Sequence, residues 1–183
     1  MRKVILQNMI SLDGFFERED RSIDWHVVDD DFNRYAIDFC RTVDTFLFGR
    51  ITYELMAEFW PSEEGLKEEP DIAEQMNTTE KVVFSRTLDS VEWQNSRLVK
   101  TDAAQEVAKL KELPGSDIAI FGSSDLSVSL LKANLIDEFR IMIAPIFLGS
   151  GKTLFQGLDR DLTLTHEGTQ VFDSGLVMQT YKA

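Results

Sequence analysis

The stretch Phe46–Trp60, FLFGRITYELMAEFW, decides how the chain is to be read. Thr45 to Phe48 is a short apolar run stopped by Gly49, the mark of a buried strand. Arg50 follows at once, and Thr52 to Phe59 then carries a helical pattern. A permanent cation therefore sits where a strand hands over to a helix. In an open α/β sheet that junction lies at the carboxyl edge, where ligands bind. A helix N-terminus placed there favours anions, so the arrangement points to a phosphate group. The plainer alternative is an exposed Arg50 paired with Glu54 one helical turn on.

Two more junctions of the same kind lie further along. In KVVFSRTL, Lys81–Leu88, Ser85 and Arg86 stand directly after a strand. In IAIFGSSDLSVSLL, Ile118–Leu131, the strand Asp117–Phe121 feeds Gly122, then Ser123 and Ser124, then an amphipathic helix running to Lys132. Gly122 permits close approach of a ligand to the backbone, and the first-turn amides of the helix have no internal acceptor. An ordinary connection with a serine cap is the competing reading, and Asp125 weakens anion binding if it faces the ligand. Three anchors along one sheet edge suit a dinucleotide, which carries several phosphates. A fourth turn, SLDG at Ser11–Gly14, follows the first strand, Lys3–Ile10. Asp13 there either meets a substrate at the same edge or stabilises its own turn.

The remaining pattern is consistent with that sheet. Residues 15–28 read as a loop, and Asp29, Asp30 and Asp31 open a helix whose apolar positions are Phe32, Tyr35, Ala36, Phe39, Cys40 and Val43. SEEGLKEEPD reads as an exposed connection, Ile72–Asn77 as a short helix, and Arg97–Val99 as a short strand. A helix is predicted over Ala103–Leu113, stopped by Pro114 and Gly115, and a strand from Glu138 to about Pro145. The last segment, LTLTHEGTQVFDSGLVMQTYK, predicts two antiparallel strands with a turn near Asp173, Ser174 and Gly175. Strand and helix alternate until that hairpin, which predicts an α/β fold with a mostly parallel sheet and helices on both faces.

The chain has 183 residues, which fits one domain spanning 1–183. Thirty-two acidic residues against 19 basic ones leave a net charge of −13, a surface that repels nucleic acid and anionic membranes. Cys40 is the single cysteine, so no internal disulfide forms. The N-terminal apolar run breaks at Gln7 and Asn8, and no stretch is long enough for a membrane span; a cytoplasmic protein is expected. His26 and His166 lack acidic or thiol companions at ligand spacing, so no metal site is expected. GSGKT, Gly149–Thr153, resembles the end of a P-loop but has Ile146 where the motif needs glycine, and GxGxxG is absent. No local motif supplies a nucleophile. An enzyme of this kind takes its reactive group from a cofactor, and hydride transfer from a nicotinamide fits.

The order SLDG, FGRxTYE, VFSRTL, IxIFGSxxLxxxLL and DEFRIMIAPIFLGSGKTLF resembles the C-terminal reductase domain of RibD, within the dihydrofolate reductase-like superfamily. The resemblance runs from Lys3 to the final strand. It implies a three-layer α/β/α domain, NADPH as cofactor, a homodimer, and reduction of a ribosylaminopyrimidine in riboflavin biosynthesis. By position it implies that Gly49, Arg50 and Thr52 bind cofactor phosphates, that Ser85 and Arg86 meet the adenosine side with Arg86 on the 2′-phosphate, and that Gly122, Ser123 and Ser124 hold the pyrophosphate. Leu148, Gly149 and Gly151 are placed beside the nicotinamide, and Asp13 in the substrate pocket. Riboflavin reductases usually carry a lysine where this chain has Gln7 or Asn8, and a D-D-P run in place of Tyr53–Trp60. GRxTYE followed by FWP is more like the short, free-standing members. Trp25, Phe32, Tyr53 and Trp60 either line an aromatic substrate pocket or belong to the core. A nucleotide-binding dimeric module without turnover, or a dihydrofolate or pterin reductase using Asp31, are the alternatives.

Overall fold

A computed structural model describes residues 1–183. The strands are β1 Val4–Ser11, β2 Phe15–Glu17, β3 Val43–Gly49, β4 Glu80–Phe84, β5 Ser96–Val99, β6 Asp117–Phe121, β7 Glu138–Ala144, β8 Lys152–Thr153, β9 Thr165–Val171 and β10 Val177–Lys182. The helices are α1 Asp30–Thr42, α2 Arg50–Phe59, α3 Glu63–Glu68, α4 Pro70–Thr78, α5 Ala103–Glu112 and α6 Ser124–Lys132. Eight strands form one sheet in the order β5-β4-β3-β6-β1-β7-β10-β9. The pairings from β5 through β7 are parallel, and the C-terminal hairpin β9–β10 closes the sheet antiparallel to β7. This is a mixed, mostly parallel sheet with helices on both faces, the α/β/α arrangement that the sequence predicts.

Side-chain alternation explains why the sheet is covered on both faces. Along β3, Leu47 packs with Val82 of β4 and with Val107, Leu110 and Leu130 of α5 and α6. Its neighbours Phe46 and Phe48 point the other way, toward Ala36, Phe39 and Cys40 of α1 and Ile72 and Met76 of α4. Each such buried side chain stabilises the fold by roughly 1.5–3 kcal/mol. Lys81 is fully buried within this core, yet its ammonium is satisfied. It donates to the carbonyls of Met76 and Thr79 at 2.7 Å and of Asn77 at 3.3 Å, closing the negative end of α4.

Two segments differ from their sequence reading. SEEGLKEEPD is a helix for most of its length, because Ser62 accepts a hydrogen bond from the Gly65 amide (3.1 Å) and Glu63 and Glu64 suit the first turn. Within residues 15–28, Phe15–Glu17 is a strand that pairs with Lys152–Thr153. Three residues pairing with two leave no periodicity to detect.

Candidate functional site

The carboxyl ends of β3, β6 and β4 lie side by side, each followed by a turn. After β6 the chain takes two successive left-handed residues, Gly122 (φ +60°) and Ser123 (φ +60°). A Cβ on Gly122 would meet Thr52 Oγ1 at 2.8 Å, so the position needs glycine for room as well as for conformation. The Ser123 hydroxyl accepts from the Gly49 amide (2.7 Å) and donates to Thr52 Oγ1 (2.9 Å), while the Ser123 amide donates to the same oxygen (3.0 Å). These bonds stitch the start of α2 to the start of α6.

The stitching leaves donors free. Ser123 is the N-cap residue of α6, but its hydroxyl is engaged elsewhere and makes no cap, and Gly49 at the start of α2 has none to offer. By contrast, Asp29, Ser62 and Asp102 cap α1, α3 and α5 through their side chains, and α4 begins with proline. The first-turn amides of α2 and α6 therefore open together on one cleft of about 580 Å³. Gly49, Arg50, Thr52, Arg86, Ser123 and Ser124 line it together with Lys152, Phe16 and Glu17. Asp125 also lines the cleft, in the first turn of α6, and its charge is offset there by the Lys152 ammonium at 2.9 Å. Arg50 is paired with exposed Glu54 at 2.8 Å, a contact worth well under 1 kcal/mol. Arg86 is exposed and has no acidic partner.

An inner pocket of about 190 Å³ adjoins the cleft, sharing Phe16, Glu17, Ile51 and Thr52. Its floor is Gln7, Asn8 and Met9 of β1, where β1 runs past the end of β6. Phe32, Phe121, Gly122, Met56 and Met142 wall it, and Arg21, Ile23 and His26 cover it. Burial pushes the His26 imidazole down to about 4, so it stays neutral in ordinary buffer.

Of the predicted site residues, Gly49, Arg50, Thr52, Arg86, Ser123 and Ser124 meet in the outer cleft, and Gly122 and Phe32 line the inner pocket. The others stand elsewhere. Ser85 accepts from the Thr87 and Leu88 amides at 3.1 and 3.0 Å, shaping its own turn and lining neither cavity. Asp13 lines neither: its carboxylate accepts from the Ser11 hydroxyl (2.6 Å) and from the Leu148 and Gly149 amides (3.1 and 2.8 Å). The Ser11 bond, with help from the two amides, holds its carboxyl below the usual range. Leu148 and Gly149 are thus latched to the SLDG turn, and Gly151 packs against the Glu17 carbonyl behind the cleft wall without lining it. Trp25 is core, buried with Met9, Met142 and Phe172. The Tyr53 hydroxyl accepts from the Glu92 and Trp93 amides at 3.0 and 3.1 Å, and the Trp60 indole donates to Met56 Sδ at 3.0 Å; both rings pack in the core. Sequence reasoning missed Lys152, which stood in a rejected P-loop and in the DEFRIMIAPIFLGSGKTLF run without a role, and the cover residues Phe16, Arg21 and His26, which carry no motif.

Residues 2–178 match the RibD C-terminal domain. The chain belongs to that family. Protein YyaP of Bacillus subtilis (strain 168) is 34% identical over 180 residues, covering 98% of this chain and 94% of that one. A putative riboflavin biosynthesis protein from Shewanella sp. PV-4 superposes with a TM-score of 0.75 at 25% identity, over 98% of each chain. Dihydrofolate reductase from Enterococcus faecalis, in complex with NADP(H), superposes at 0.60 with 16% identity, over 98% of this chain and 95% of that one. That last likeness is one of fold. No helix of this RibD-type chain is long and apolar enough to cross a membrane.

Proposed function

We propose that this RibD-type chain is an NADPH-dependent reductase, acting on a small heterocyclic or carbonyl/imine substrate of the kind handled by 5-amino-6-(5-phosphoribosylamino)uracil reductase. The observation that carries the proposal is the pairing of two uncapped helix starts on one cleft beside Arg50 and Arg86. Converging amide donors and guanidinium groups are the donor set a diphosphate needs, so the residues present fit the cofactor. In this reading the α2 and α6 amides and Arg50 hold the pyrophosphate, and Arg86 takes the 2′-phosphate. NADPH bound there supplies a hydride. A ring enters the inner pocket from the cleft past Ile51 and Thr52, which line both, and there Phe32, Met56 and Met142 keep water away from the reacting face.

The expected homodimer is part of the proposal. The apolar groove over β7 and β10, lined by Ile141, Ile143, Phe155, Leu158 and Tyr181, is the face offered for pairing, and sedimentation of the purified chain tests it. The functional proposal is tested by nicotinamide fluorescence and thermal shift. NADPH at micromolar concentration should raise the melting temperature and change its own emission saturably on binding. No response at millimolar NADPH would sink it. Cofactor binding without oxidation across pterins, pyrimidines and carbonyl compounds would instead favour the nucleotide-binding module.

A further inference from the structure

The inner pocket contains a side chain whose orientation is fixed from behind. Arg140 Nη1 donates to the Tyr35 hydroxyl oxygen at 3.2 Å, and its other nitrogens are held by Glu138 at 2.8 Å. A guanidinium only donates. The Tyr35 oxygen must therefore accept from it, and the phenol proton is left to point forward, onto Gln7 Oε1 at 2.7 Å. Burial holds the Tyr35 phenol above its ordinary range, so that proton is present at every physiological pH. With Oε1 committed, the carboxamide has one orientation, and its Nε2 amino group faces away from Tyr35. Gln7 is 8% exposed and lines the inner pocket, yet Nε2 makes no hydrogen bond within the protein and is not sealed off from solvent. A fixed donor without an acceptor thus opens on the cavity.

We propose that Gln7, held by Tyr35 and Arg140, reads the substrate by donating from Nε2 to a ring carbonyl oxygen on a planar, uncharged ring. This rests on the reductase reading for the reaction and adds the substrate's recognition element. A pocket of about 190 Å³ walled by Phe32, Phe121, Met56 and Met142 takes one or two fused rings and little more. Gln7 touches the substrate in this account, whereas Tyr35 and Arg140 are positioning residues. An amino group presented at the same point sets donor against donor and leaves both unpaired in a dry site.

The test uses two bicyclic probes of the same shape, 4-quinazolinone and 4-aminoquinazoline, titrated calorimetrically in mildly alkaline buffer where both are uncharged, with and without NADP⁺. The native protein should bind the quinazolinone at least about tenfold more tightly, the cost of an unpaired buried donor. Gln7→Glu keeps the bond from Tyr35 but turns the pocket-facing atom into an acceptor, so the preference should reverse. Tyr35→Phe releases the carboxamide to flip, and the ratio should fall to within about threefold. A purely structural role for Tyr35 would weaken both probes equally and leave the ratio unchanged. The proposal is overturned if Gln7→Glu keeps the native order, if Tyr35→Phe leaves the ratio intact, or if the native protein binds neither probe in either state. Failure of NADP⁺ to bind in the parallel titration removes the reductase reading instead, and reversal by Gln7→Glu without NADP⁺ would preserve the recognition role alone.

Discussion

The two edges of the sheet carry cavities of similar size and opposite character. At the amino edge, a cleft of about 520 Å³ is lined by Arg2, Lys111 and Asp117, and its buried cations are spoken for. Arg2 is ion-paired with Asp44 and donates to Thr45 Oγ1 at 2.8 Å, and Lys111 pairs with Asp137 at 2.6 Å. At the carboxyl edge, a cleft of about 580 Å³ has two open helix starts, an unpaired Arg86, and an Arg50 tied only to an exposed glutamate. Charge satisfied from within holds a fold together. A guanidinium left unsatisfied at a cavity wall is available to an anionic ligand, and Arg86 stands at the edge where parallel sheets bind ligands.

That contrast is broken most sharply by Arg2→Ala. Asp44 loses its ion-pair partner but stays partly exposed and keeps the Ser116 amide, while the Thr45 and Ser116 oxygens lose a buried donor, so stability should fall by about 2–3 kcal/mol in urea unfolding while NADPH affinity in the folded protein is unchanged. A large loss of cofactor affinity there would erase the distinction between the edges.

His26, over the inner pocket, gives the carboxyl side a pH signature. Its folded value of about 4 lies below its ordinary 6.5, so the unfolded chain binds the extra proton between them. Stability should be greatest above pH 6.5 and should decline by roughly 3 kcal/mol as pH falls to about 4. His26→Phe should flatten that slope, and an unchanged slope would place the acid sensitivity elsewhere.

Arg50→Ala should weaken NADPH by about thirtyfold, near 2 kcal/mol, with little change in urea midpoint, because its only internal partner is the exposed Glu54. Asp13→Ala, which removes a latch rather than a ligand contact, should weaken it less, and the reverse order would contradict these roles. Smallest is Arg86→Ala. It should cost about tenfold in NADPH affinity and nothing in NADH affinity, and equal losses for the two cofactors would remove Arg86 from the 2′-phosphate.

The two edges also differ in how much of them the sequence discloses. Arg50, Gly122 and Arg86 follow directly on apolar strands, so their place on one rim was legible from local pattern alone. Competition for hydrogen bonds was not. Asp13 and Ser85 have the chemistry of site residues, but backbone amides 135 positions away and two positions on, respectively, claim their oxygens. Trp25, Tyr53 and Trp60 sit near the site in sequence and face the core, because helical phase and loop path decide direction and neither is written in residue type. Phe16, Arg21 and His26 line the inner pocket through the path of a segment with almost no regular structure. Gln7 read as a departure from a family pattern, and only the bonds from Tyr35 and Arg140 give it an orientation.

The central claim is that free amides at two helix starts, together with guanidinium groups, grip a dinucleotide along the carboxyl edge. Backbone ¹⁵N–¹H spectra recorded during titration with NADPH test it residue by residue. Saturable shifts are predicted at Arg50, Ile51 and Thr52 and at Ser124, Asp125 and Leu126, with Arg2 and Lys111 at the far edge unmoved. Saturable binding that instead moved Arg2 and Lys111, or no movement of the α2 and α6 amides at millimolar NADPH, would contradict the account.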